Sequence, residues 1–224
     1  MSKRSVVFLV FLVLLLTQSH GTADQSLDQS QFNQSQIGRP GLSGQMLPGI
    51  ISQQCFEVYW DANSPANHYF PTGFMGDYSD IGVNPLCREN PHSGKTCFKV
   101  IYRNGQSQHA RWVGVAWQNP AYNWGYRADG GFNLQGASKL VFWARGQKGG
   151  EKIQLVKVGG TGGEYKDSDE VKMGPVTLSS EWKQYEMDLR GKDLSSVSCG
   201  FSFVMTHEAN KDGAVFYLDD IYYI

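Results

Sequence analysis

The segment WVGVAWQNPAYNWGY, residues 112–126, is the part of the chain best equipped to hold a ligand. It carries five aromatic side chains in fifteen positions, including three of the six tryptophans. Its first half alternates as a strand does. Its second half is a loop of Gln, Asn, Pro and Gly that still bears Tyr122, Trp124 and Tyr126. Loops run over the surface, where a large ring is unfavourably wet unless it packs down or meets a ligand. Flat rings beside amides suit a saccharide, whose pyranose ring has an apolar face and projecting hydroxyls. Gln118, Asn119 and Asn123 offer amide donors and acceptors. Trp117 either joins the core or edges a cleft at the strand end. Arg145, closing a neighbouring expected strand, brings a fixed fork of donors for hydroxyls or a uronate. Covering one ring face removes roughly 80 Å² of apolar surface, about 2 kcal/mol. Two or three such faces with a few hydrogen bonds correspond to Kd values of order mM to µM. The opposing reading is that Tyr122, Trp124 and Tyr126 fold back as a lid. Trp60, Trp143 and Trp182 are expected in the core.

The acidic residues suggest a cation more than a reaction. Asp219 and Asp220 lie inside a strand-like run, and strict alternation sends one carboxylate to each face, one of them inward. An isolated buried carboxylate is costly, and a hard cation with oxygen ligands would compensate. Asp77 and Asp80 form a second oxygen-rich loop, while KDSDE (167–170 for its acids) reads as a solvated turn. Catalysis finds little support. Glycoside hydrolysis needs two facing carboxylates, and no strand presents several acids on one face. A G-x-S-x-G elbow is absent, and His68, His92, His109 and His207 lack zinc spacing.

The elements that must position these residues are almost all β. Val/Ile/aromatic runs near 56–60, 96–102, 111–117, 139–145, 152–158, 181–189, 199–206 and 215–223 alternate with Gly, Asn and Asp turns. In the run 111–117 the valine face (Val113, Val115, Trp117) is expected inside. Trp112, Gly114 and Ala116 then leave a groove on the opposite face. No long stretch has helical periodicity, so an antiparallel β-sandwich is expected over residues 50–224.

Several segments together resemble the galactose-binding-like jelly-roll domains found among carbohydrate-binding modules. They are YWDA ending at Asp61, NPHSGKTCFKVIY, FNLQGASKLVFWARGQKGGE, SSEWKQYEMDLRGKDLS and the closing VFYLDDIYY. The resemblance implies a non-catalytic, glycan-binding jelly roll, often with one structural Ca²⁺. Its position would be formed by Asp61, one of Asp219 and Asp220, and main-chain oxygens around Ser93 to Lys95. The alternatives are a structural or protein-interaction sandwich and, further off, a polysaccharide hydrolase or lyase.

Residues 1–21 read as a signal peptide: Lys3 and Arg4 precede an apolar run from Val6 to Leu16, with small residues at Ser19 and Gly21. Residues 22–49 are a Gln/Ser-rich tether without the apolar content to order itself. The protein is therefore expected to be secreted, periplasmic or at the cell surface, and monomeric. Its net charge of -1, from 20 basic and 21 acidic residues, gives no reason to expect nucleic acid or a membrane surface. Disulfides are permitted in that setting. Cys87 and Cys97 flank a short, turn-rich loop and are the favoured pair. Cys199 faces inward and either pairs with Cys55 or stays a buried thiol.

Overall fold

The computed structural model describes residues 55–224. The expected signal peptide and tether lie outside the described residues. Thirteen strands build two antiparallel sheets and a short ribbon. The first sheet contains β1 (Phe56–Tyr59), β3 (Ile81–Cys87), β4 (Cys97–Tyr102), β6 (Lys139–Gly146), β11 (Lys183–Asp188) and β13 (Ala214–Tyr223). Its order is β11-β6-β13-β4-β3, with β1 also paired to β13. The second contains β2 (Phe70–Gly76), β5 (Trp112–Gln118), β8 (Leu155–Gly159), β9 (Glu170–Met173) and β12 (Cys199–Thr206), in the order β2-β5-β12-β8-β9. β7 (Lys152–Ile153) and β10 (Val176–Thr177) form the ribbon. The fold is an all-β antiparallel sandwich, as the sequence predicts.

The core lies between the sheets and follows period-2 alternation. Phe98, Phe142 and Phe216 project from the first sheet; Trp117, Phe201 and Phe203 project from the second. Their rings meet across the gap at centroid distances of 4.7 Å (Phe98–Trp117), 5.4 Å (Phe142–Phe201) and 5.1 Å (Phe203–Phe216). Most of these pairs adopt the edge-on geometry that aromatic quadrupoles favour.

Four strands were not legible as such. β2 reads FPTGFMG and β3 reads IGVNPLC. Both carry proline, and both are edge strands, where a missing N–H costs no ladder bond. β9 and β10 are short. One expectation in β13 also fails. Asp220 adopts φ +44 at a bulge, which breaks the alternation between Asp219 and Tyr222. Neither carboxylate then enters the core; both meet the 88–96 loop on the outer face of the first sheet.

Candidate functional site

The two outer faces differ. On the first sheet, the 88–96 loop is strapped down over the strands. Trp143 stacks on His92 at 3.7 Å, and Trp182 donates its indole N–H to the Asn90 carbonyl (2.9 Å). Arg145 lies 3.7 Å from the centroid of Tyr217 and donates to the Glu89 carbonyl (2.7 Å). Arg145 is therefore a fastener on the far side of the sandwich and takes no part in the aromatic segment. Trp143 and Trp182 are half-buried under the same strap rather than in the core.

On the second sheet the outer face beside β2 and β5 is covered by the chain's own side chains: Gly114, Ala116, Gln118 and Ser202 are all buried there. Val113, Val115 and Trp117 point inward, and Trp117 is 0% exposed. Trp117 is thus a core residue and is unable to edge a cleft. Trp112 stands exposed at one end of the outer face, with Gly114 and Ala116 following it on β5 and Ser202 opposite Ala116 on β12. At the other end the 119–126 loop lays Trp124 over the strands. A Cβ on Gly73 would lie 2.9 Å from Trp124 Cη2 and 2.8 Å from Ala116 Cβ. The two indoles therefore lie towards the ends of this face, and between them the Met75 side chain lies over Gly114, its Cε 3.0 Å from where a Cβ there would stand.

The loop is held by the amides that the sequence suggested as ligand contacts. Gln118 is fully buried, donates to the Asn123 carbonyl (2.8 Å) and accepts from the Thr72 hydroxyl (3.0 Å). Asn119 donates to the His68 carbonyl (3.0 Å) and accepts from Gly131 N–H (3.2 Å). Asn123, also buried, donates to the Asn119 carbonyl and accepts the N–H groups of Gly125 (3.0 Å) and Tyr126 (3.1 Å). Their polar atoms are spent on the backbone, as buried amides require. They fix the loop and leave the rings to face outward. Tyr122 is 67% exposed and Tyr126 is 74% exposed, while Trp124 is half-buried.

Tyr122 reaches that position in the left-handed region, φ +64, with its N–H donated to Thr72 (2.8 Å). For a bulky side chain this costs about 1–3 kcal/mol and persists only where the surroundings enforce it. A second loop supports the rim. Tyr165 N–H donates to the Gly125 carbonyl (2.7 Å), which brings a further exposed phenol alongside. This second loop is anchored by Asp167, which accepts from Thr161 N–H (3.0 Å) and from Ser198 N–H. Asp167 is buried, so KDSDE is no solvated turn. Tyr165 and Trp112 extend the aromatic surface beyond the residues that loop composition pointed to. Their signal was only an isolated ring beside glycines and a strand-facing position.

Asp61, Asp219 and Asp220 were considered for Ca²⁺. All three do converge on the 88–96 loop. Asp61 accepts the N–H groups of Lys95 (2.9 Å) and Thr96 (2.7 Å) and the Thr96 hydroxyl (2.9 Å). Asp219 accepts His92 N–H (2.8 Å), and Asp220 accepts the Ser93 hydroxyl (2.6 Å) and lies 2.5 Å from His92 Nδ1. Burial and the adjacent Asp220 push the Asp219 carboxyl up to about 7. The carboxylates face N–H and O–H donors, whose positive ends repel a cation. Among the described residues no group of three or more acidic, histidine or cysteine side chains is arranged to hold a metal.

Cys87 and Cys97 are direct partners across β3 and β4, both buried. They are separate thiols, as is Cys199, whose sulfur lies 3.7 Å from the Phe201 carbonyl.

No protein-family model matches the sequence, and no curated protein matches it. Among solved structures, the chain is similar to a family 30 carbohydrate-binding module at 16% identity and TM-score 0.48, over 77% of this chain and 88% of that one. It is likewise similar to the family 30 module of a cellulosomal cellulase of Clostridium thermocellum (15% identity, TM-score 0.48, 76% and 97% covered). A family 29 carbohydrate-binding module follows at 12% identity and TM-score 0.44, over 76% and 87%.

Proposed function

We propose that the protein is a non-catalytic carbohydrate-binding domain that grips a polysaccharide on the exposed aromatic rim formed by Tyr122, Trp124, Tyr126 and Tyr165 at one end of the second sheet. After loss of residues 1–21 it would be displayed outside the cell on the 22–49 tether. The observation that carries the reading is the pinned presentation of Tyr122 and Tyr126. A loop that hid its rings would lower its own free energy. This one instead holds a strained tyrosine outward and spends buried amides to keep it there. The exposed rings accept the apolar undersides of sugar units. Beyond Ser202, the outward side chains of Lys157, Glu170 and Lys172 supply polar groups for hydroxyls, with Lys157 and Lys172 both paired to Glu170. A non-catalytic role accords with the engagement of the buried acids Asp77, Asp80, Asp167 and Asp219 in holding backbone, and of Asp220 in holding the Ser93 hydroxyl and the His92 ring.

The test is calorimetric titration with hexasaccharides of glucose, xylose and mannose, alongside Tyr122→Ala, Trp124→Ala and Tyr126→Ala. Each truncation is expected to weaken binding by about 1–2 kcal/mol, roughly five- to thirtyfold. The two tyrosine variants should keep the wild-type Tm. Binding that survives loss of both tyrosines overturns the reading. Release of reducing ends or unsaturated products would instead mark an enzyme.

A further inference from the structure

The sequence pattern places Trp60 in the core, yet the structure leaves it 38% exposed. The cause is local. A register shift between Glu57 and Tyr59 turns β1, so that Val58 and Tyr59 take the buried positions. Tyr59 is anchored by its hydroxyl, which donates to the Pro85 carbonyl (3.0 Å), and Trp60 N–H donates to Asn67 Oδ1 (2.9 Å). The indole is held at the mouth of a cleft of about 510 Å³, which also takes in Leu86, Asn63, Ser64, Arg88 and Lys95. This cleft involves none of the residues of the aromatic platform.

Its chemistry is specific. Trp60, Leu86 and Pro65 supply apolar surface, and Trp60 and Leu86 are both exposed, which is unfavourable for a monomer without a ligand. Arg88 and Lys95 bring two cations. Neither forms an ion pair among the described residues, whereas Lys99, Lys139 and Lys157 each have a carboxylate. The one acid lining the cleft, Asp61, has its Oδ1 turned to the N–H groups of Lys95 and Thr96. Arg88 is therefore available to an incoming anion, while the Lys95 charge is shared with the Asp61 carboxylate, which it helps to hold in its ionised form. Asn63 and Ser64 complete the set with amide and hydroxyl groups.

We propose that this cleft is a second binding site, selective for an acidic saccharide. The ring of a uronic acid unit stacks on Trp60, and its carboxylate is held by Arg88 and Lys95. Guanidinium and carboxylate match as a two-pronged pair, and the apolar wall excludes some of the water that would otherwise screen it. The site stands apart from the platform, so either can fail without the other.

The experiment is titration of the full chain with trigalacturonate, with a neutral xylohexaose run in parallel. Trigalacturonate is expected to bind, and to bind less tightly as NaCl is raised across the range where the Debye length shrinks below about 10 Å. Trp60→Ala and Arg88→Gln should each weaken it roughly tenfold and leave the neutral titration unchanged. Tyr122→Ala should do the reverse. Arg88 is exposed, so its variant tests the site even if the tryptophan variant misfolds. The proposal is overturned if trigalacturonate does not bind at millimolar concentration, or if both variants bind it as the wild type does. It is equally overturned if glutarate, a dicarboxylate without a sugar ring, or an acidic peptide binds as tightly.

Discussion

Trp124 and Gly73 are fitted to each other: the indole Cη2 occupies the space that a side chain at position 73 would need. Gly73 is not in a left-handed conformation, so the requirement is for space alone. Gly73→Val adds branches that meet Ala116 Cβ, the Trp124 ring and the buried Gln118 side chain, so Trp124 is displaced and the loop that Gln118 holds is loosened with it. The expected outcome is a red-shifted tryptophan emission with a roughly tenfold loss of neutral-glycan affinity. Unchanged emission and affinity would separate Trp124 from the binding face.

The acid limb of stability should report Asp80. Burial works to raise its pKa. The Ser107 hydroxyl and the N–H groups of Ser107, Gln106 and Gly105 outweigh burial and hold the carboxyl below its usual 3.8. A carboxyl with a lower pKa folded than unfolded contributes stability above the unfolded value and loses it as pH falls through the folded one. Asp80 and Asp77 together clasp the 104–111 turn, in which Asn104, Gln106, His109 and Arg111 all take positive φ. Urea unfolding followed from neutrality to below about pH 4 should show stability falling. Asp80→Asn should lower stability at neutrality and flatten that slope. Asp61, also held low, leaves part of the slope in place.

What could be read in the chain was the inside of the sandwich. Val113, Val115 and Trp117 declared a core face by alternation, and the turn dipeptides separated the central strands. What could not be read was the loop architecture. The polar atoms of Gln118, Asn119 and Asn123 look identical in sequence whether they serve a ligand or a backbone. Only the fold decides which N–H groups they reach. Arg145 closes a strand whose sheet the sequence does not specify, and the order β11-β6-β13 carries it to the layer opposite the aromatic loop. Trp60 was misplaced by one register shift, which period-2 reasoning cannot anticipate. Asp220 was misplaced in the same way, by a bulge.

Calcium chelation offers a direct check on the loop strap. Asp61, Asp219 and Asp220 accept donors from Lys95, Thr96, His92 and Ser93, so the expectation is that the 88–96 loop holds its shape without a cation. Addition of EGTA should leave the Tm unchanged, and added Ca²⁺ should not raise it. Asp219→Ala should lower it, because the N–H of His92 is then left without its carboxylate, at a cost of about 1–3 kcal/mol. A Tm that rises with Ca²⁺ would require the loop to turn its carbonyls inward.

Oxidation of Cys87 and Cys97 would close that same loop covalently. The two residues are opposite one another in an antiparallel pair, where Cα separations of about 4.5–5.5 Å fall inside the range a disulfide spans. Burial and then the neighbouring Cys87 sulfur hold the Cys97 thiol well above its usual pKa, so the thiolate is scarce and air oxidation should be slow. Oxidised glutathione supplies the missing acceptor: each protein sulfur loses one hydrogen, one S–S bond forms, and the glutathione disulfide is reduced to two thiols. The closed loop should add about 3 kcal/mol on the chain-entropy model. Intact-mass analysis should then record the loss of two hydrogens, and the Tm should rise relative to the reduced protein. Cys87→Ser should abolish both changes. If Cys87→Ser oxidises and gains stability as the wild type does, the bond lies elsewhere.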